Sequence, residues 1–76
     1  MSEKIEETIK EALAVIDFIA KSLINNTIEI KNTKDICLKI IKLTICKYKA
    51  LEIIRVLDDV IKQAEEILNQ PQQSKN

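Results

Sequence analysis

The chain has 76 residues, of which 46% are hydrophobic and 32% are charged, and its twelve basic and twelve acidic side chains leave no net charge. That length allows one small domain, which hides only roughly 60% of the surface of its unfolded chain and often needs a partner chain for stability. With no histidine and no glycine, it lacks both the commonest general base at neutral pH and a glycine-rich phosphate loop. We therefore expect neither an enzyme nor a bound cofactor.

The turn-forming residues are almost missing, since Pro71 is the single proline and there is no glycine. Sheets and irregular loops need these residues at their corners, so the composition predicts an all-α fold. The longest apolar run, residues 12–16, is far shorter than the ~18 residues of a membrane span. The opening residues Met1, Ser2 and Glu3 do not resemble a signal peptide. We expect a cytoplasmic protein with no membrane attachment.

A first helix is predicted over residues 3–24, with Ser2 as its N-cap and acidic residues in its first turns. Apolar residues recur at steps of three and four, which is typical of a helix that packs in a bundle. They are Ile5, Ile9, Ala12, Ile16, Ile19 and Leu23. The pair Asn25 and Asn26 tolerates left-handed backbone and is predicted to end this helix without glycine.

A loop is predicted over residues 25–32, because Thr27–Lys31 alternates between polar and apolar residues and could be extended. Asn32 or Thr33 would cap the next helix, with Asp35 in a capping-box-like position. A short strand followed by helices is similar to the ribbon-helix-helix order, in which residues 27, 29 and 31 would face DNA. The long preceding helix and the missing glycine turn depart from that plan.

A second helix is predicted over residues 34–69, and a polar, disordered tail over residues 71–76. From Ala50 onward its apolar residues follow heptads. Before Ala50 the apolar residues spread toward one flank of the helix, and after Ala50 they spread toward nearly the opposite flank. Either the chain bends near residues 47–50 to give a three-helix bundle, or one long helix pairs with a shorter one in a hairpin. No glycine or proline marks a bend, so we favour the hairpin, which forms an oligomeric helix bundle.

In such a hairpin a first helix of about 22 residues covers only part of the second. The apolar stripe past Arg55 would then pack against another chain, most simply in a homodimer. The predicted oligomer interface consists of Ile53, Ile54, Leu57, Val60, Ile61, Ala64, Ile67 and Leu68. Two helices and a short loop are similar in layout to Rop-type helical hairpins, which dimerise into four-helix bundles and in some cases bind RNA. This likeness is one of architecture, and no particular residues match.

Charge is segregated along the chain, because residues 30–49 carry six lysines against one acid, whereas both flanking segments are acidic. This pattern favours antiparallel neighbours, within the chain or across a dimer. Lys39, Lys42 and Lys49 share one side of the second helix, and such a stripe could bind nucleic acid. Cys37 and Cys46 are nine positions apart, half a turn around a helix, so they cannot bridge each other within it. We expect two buried free thiols, and an intermolecular disulfide or a redox sensor is the alternative.

Metal binding is not expected, since carboxylates without histidine rarely form a transition-metal site. The sequence therefore predicts a single helical domain over residues 1–70 that self-associates and binds a protein partner as a non-enzymatic interaction or regulatory module. The alternative is a nucleic-acid-binding regulator that uses the basic face. Its richness in Ile, Lys and Asn would suit a virus, plasmid or other mobile element.

Overall fold

The structure, a computed structural model, describes residues 2–70 and forms a hairpin of two long antiparallel helices. Helix α1 spans Ser2–Asn32 and helix α2 spans Ile36–Leu68. The described residues contain no strand, which confirms the predicted all-α fold and the helical hairpin. The predicted polar tail, residues 71–76, lies outside the described residues.

Helix α1 continues eight residues beyond its predicted end, so the expected loop over residues 25–32 is wrong. Two interactions, one within α1 and one with α2, explain the continuation. The Thr27 hydroxyl donates to the carbonyl of Ile24 at 2.6 Å and so satisfies a polar group within the helix. The Asn26 side chain accepts a hydrogen bond from Lys49 in α2, so it does not compete for the local backbone. The strand needed for a ribbon-helix-helix arrangement is therefore also absent, because Thr27–Lys31 is helical.

The connection between the helices is only three residues long, and it is closed by side-chain caps. The Thr33 hydroxyl donates to the carbonyl of Glu29 at 2.7 Å at the end of α1. Asp35, and not Asn32 or Thr33, is the N-cap of α2. Its carboxylate accepts from the backbone amides of Cys37 at 2.8 Å and Leu38 at 3.3 Å. A short loop of this kind joins antiparallel helices that are direct neighbours.

Helix α2 runs without interruption to Leu68 and ends within one residue of the predicted position. The bend predicted near residues 47–50 as an alternative is absent, and with it the three-helix bundle. At its C-terminus the Asn69 amide donates to the carbonyl of Glu65 at 2.9 Å.

The two helices touch along one seam, in which side chains are half-buried and none of residues 3–70 is fully buried. The seam follows steps of three and four along both helices, as in a coiled coil. Helix α1 contributes Ile5, Thr8, Ala12, Ile16, Ile19, Leu23, Asn26 and Ile30, and α2 contributes Lys39, Lys42, Cys46, Lys49, Ile53, Val56, Val60, Ala64 and Ile67. The seam is apolar toward the open end of the hairpin and polar toward its loop.

Replacing Asp35 by Ala should destabilise the hairpin, because it removes the acceptor for two amides at the start of α2. We expect a loss of about 1 kcal/mol in the free energy of unfolding, measured by urea denaturation followed by circular dichroism. Lys34→Ala, in the same loop, is the matched control and should change stability little. Equal effects of the two substitutions would contradict the assignment of Asp35 as the cap.

Candidate interaction surfaces

An apolar groove runs along one side of the hairpin toward its open end. It has a volume of about 240 Å³ and is lined by both helices. The lining residues are Ile9, Ala12, Leu13, Ile16, Leu57, Val60, Ile61 and Ala64. The side chains of Leu13 and Ile61 are more than half exposed, and that of Leu57 is 40% exposed. The groove is thus a strip of hydrocarbon in contact with water.

The rows of side chains that line this groove continue toward the loop. On α1 they include Ala20 and Leu23, and on α2 they include Ile54, Ala50 and Leu43. These residues follow the lining residues at steps of three, four or seven positions, so they lie on the same side of each helix. We call the groove and these five residues the apolar face. Leu43 and Ile54 are more than half exposed. The face therefore extends along most of the hairpin on one side.

The predicted oligomer interface divides into two groups in the structure. Ile53, Val60, Ala64 and Ile67 are half-buried, in the seam against α1. Ile54, Leu57, Ile61 and Leu68 are between 40% and 64% exposed. The expectation that α2 is uncovered past Arg55 is wrong, because the longer α1 brings Ile9–Ile16 alongside Leu57–Ala64. The residues on one flank of the predicted stripe pack against α1 within the hairpin, and those on the other flank remain exposed to water.

A second apolar pocket lies on a different side of the hairpin, nearer its middle. It has a volume of about 400 Å³ and is lined by Phe18, Ile19, Ser22, Ile45, Tyr48, Lys49 and Glu52. Phe18 and Tyr48, the only aromatic residues in the sequence, are 75% and 61% exposed. We call this site the aromatic pocket.

The aromatic pocket and the apolar face point in different directions. Phe18 is two positions from Ile16 on α1, and Tyr48 is nine positions from Leu57 on α2. At about 100° per residue, both offsets place the side chains on nearly opposite sides of their helix. A partner that covers the apolar face therefore leaves the aromatic pocket accessible.

The sequence contains no local signal for the aromatic pocket. Phe18 and Tyr48 are thirty positions apart, and only the pairing of the two helices brings them to one site. The contribution of α1 to the apolar face was missed for the same reason. A count of the chain's aromatic residues would have identified the two side chains but not their proximity.

The three lysines predicted to contact nucleic acid are all half-buried in the seam. Lys49 donates to the Ser22 hydroxyl at 2.6 Å and to the Asn26 side-chain oxygen. Lys42 donates to the Thr33 hydroxyl at 3.2 Å and lies 3.9 Å from the Glu29 carboxylate. These contacts tie two of the three ammonium groups to α1, and they make the loop half of the seam polar.

Arg55 forms an ion-pair network with two acids on the exposed surface of α2. Its guanidinium contacts Glu52 and, at 3.1 Å, Asp59. The hydrogen bond from Arg55 lowers the pKa of Glu52, and the same bond raises the pKa of Arg55. Because the pKa of Glu52 is lowered on folding, this pairing stabilises the helix at pH values above the ordinary pKa of a glutamate side chain. That contribution is lost as the pH falls through the lowered pKa. Both side chains remain largely accessible to water, 61% for Arg55 and 45% for Glu52, which keeps this contribution small.

The expectation of two buried thiols is wrong. Cys37 is exposed and Cys46 is half-buried, and both are free. Cys37 lies nine positions from the seam residue Cys46, half a turn around α2, so it faces away from α1.

Residues 2–70 contain no group of three or more acidic, cysteine or histidine side chains placed to hold a metal ion. In the same part of the chain, neither helix combines the length and the apolar character required to cross a membrane.

Comparisons with known proteins identify no relative, since no family, no curated protein and no solved structure matches this chain.

The basic-face hypothesis can be tested by titrating the protein against duplex DNA and duplex RNA at two salt concentrations. Binding through phosphates requires that the affinity fall steeply as the salt concentration rises. Because the contacts of Lys42 and Lys49 to α1 occupy their ammonium groups, we expect no complex that depends on Lys39, Lys42 and Lys49. A salt-sensitive complex that Lys39→Ala weakens would contradict this expectation.

Proposed function

We propose that this chain is a non-enzymatic helical interaction module that associates with itself through the apolar face and binds a protein partner elsewhere. The observation that carries the proposal is that residues 3–70 contain no fully buried side chain. Eighteen large apolar side chains are exposed among the described residues and none is buried. Monomeric proteins rarely expose continuous apolar surface on this scale, and large patches of it mark interaction sites.

The accessible area supports the same conclusion. A compact monomer of 8.7 kDa would expose roughly 4,700 Å², whereas this chain exposes 6086 Å². The difference is about 1,400 Å² per chain. A standard protein–protein interface buries about 800 Å² on each side. Covering one such surface would therefore remove more than half of this excess.

The aromatic pocket supports the second half of the proposal, a protein partner. Aromatic residues are enriched at the centres of protein interfaces, where they supply a large apolar area at low cost in conformational entropy. Phe18 and Tyr48 flank one apolar pocket, and self-association through the apolar face leaves it exposed. It could then receive an apolar side chain of another protein.

Two aspartate substitutions would test the self-association. Leu57→Asp places a charge in the apolar groove, where a second chain would strip it of water. We expect a cost of at least about 3 kcal/mol, or roughly a 100-fold increase in the dissociation constant. Multi-angle light scattering over a range of protein concentrations would show the shift from oligomer to monomer, with circular dichroism as the measure of helix content.

Phe18→Asp is the matched control, because it adds the same charge at an even more exposed apolar residue on another side of the hairpin. We expect this variant to retain the mass of the parent protein. A parent protein that is monomeric at all concentrations would refute self-association. Loss of the oligomer in both variants, or in neither, would refute the choice of the apolar face.

A further inference from the structure

The fold converts the segregated charges of the sequence into a charge difference between the two ends of the hairpin. Pairing of α1 with α2 brings both acidic segments together at the open end. Residues 2–23 and 50–70, the open half, carry ten acidic and five basic side chains. Residues 24–49, the loop half, carry six lysines and two acids. The hairpin is therefore negative at its open half and positive at its loop half.

We propose that two copies of this chain pack their apolar faces together in the antiparallel sense, with the loop half of each hairpin against the open half of the other. This inference rests on the self-association proposed above and adds the orientation of the two chains. In the loop half the apolar face contains Leu43, and its two rows on α2 continue there to the exposed Ile36 and Ile40 at seven-residue spacing, so both halves offer apolar surface to a partner in either orientation. The orientation is then decided by charge.

In the antiparallel pair each basic half lies beside an acidic half, at two places related by the two-fold axis. In the parallel pair, positive meets positive and negative meets negative. Like charges placed across an interface repel each other and select against the wrong arrangement. Lys47 is exposed and shares a row with Ile40 and Ile54 at seven-residue spacing, which places its backbone position at the edge of the apolar face. In the single hairpin its ammonium group lies 5.1 Å from the centre of the Tyr48 ring.

The native cysteine near the loop provides a direct test of orientation. In a Cys46→Ala variant, a spin label on the exposed Cys37 reports the distance between the two loop ends by pulsed electron paramagnetic resonance. The antiparallel pair separates the labels by about 30 residues of helix, or roughly 45 Å. A parallel pair would hold them within about two interhelical spacings, or roughly 20 Å. We expect the long distance, and the short one in a stable dimer would overturn the proposal.

Two charge reversals give an independent readout from the dissociation constant at low salt. Lys47→Glu puts an acid in the loop half, opposite the partner's acidic half, and should weaken the dimer several-fold. Lys62→Glu puts an acid in the open half, opposite the partner's basic half, and should leave the dimer equally tight or tighter. The antiparallel pair predicts this order and the parallel pair predicts the reverse. High salt should reduce both effects.

The two proposals fail in different ways. A monomeric parent protein refutes self-association itself, and with it the orientation. A stable dimer with a short distance between labels, or with the reverse order of the two charge variants, refutes the antiparallel orientation alone.

Discussion

A helix in a two-helix hairpin has one neighbour, and that neighbour can shield only a narrow strip of its circumference. The apolar residues of α1 and α2 occupy a much wider sector than that strip. As a result, Phe18, Leu57 and Tyr48 contact water although their chemistry is that of interior residues. This mismatch between the apolar sector and the area of contact accounts for the half-buried seam, the excess of accessible surface and the two apolar sites.

The loop half of the molecule shows how the mismatch is accommodated. There the seam contains Lys42 and Lys49, whose aliphatic stems lie between the helices while their ammonium groups reach hydroxyl, amide and carboxylate groups of α1. Polar residues thus take the inner positions, and Ile36, Ile40 and Leu43 point outward. A monomer would gain by the opposite arrangement, so this pattern supports the proposed self-association.

The extent to which the sequence predicted this structure depends on the range of the interactions involved. The helical class and the end of α2 follow from composition and periodicity, which act within a few residues. The end of α1 does not, because Asn26 is held by Lys49, twenty-three positions away, and this contact exists only in the paired hairpin. Half of the interface set was assigned to another chain for the same reason. Once α1 extends to Asn32, it covers Val60 and Ala64 itself, whereas Leu57 and Ile61 on the neighbouring flank remain exposed.

The contact of Lys49 with Ser22 and Asn26 also fixes the axial register of the two helices. Sliding α2 by one heptad toward the open end of α1 would bring this ammonium group against Val15 and Ile19, which offer no acceptor. Sliding it the other way would require a longer connection than the three residues that join the helices. A polar group within a seam costs stability and in return excludes alternative alignments. Lys49 therefore ensures that the rows forming the apolar face and the aromatic pocket meet at one alignment only, in every copy of the chain.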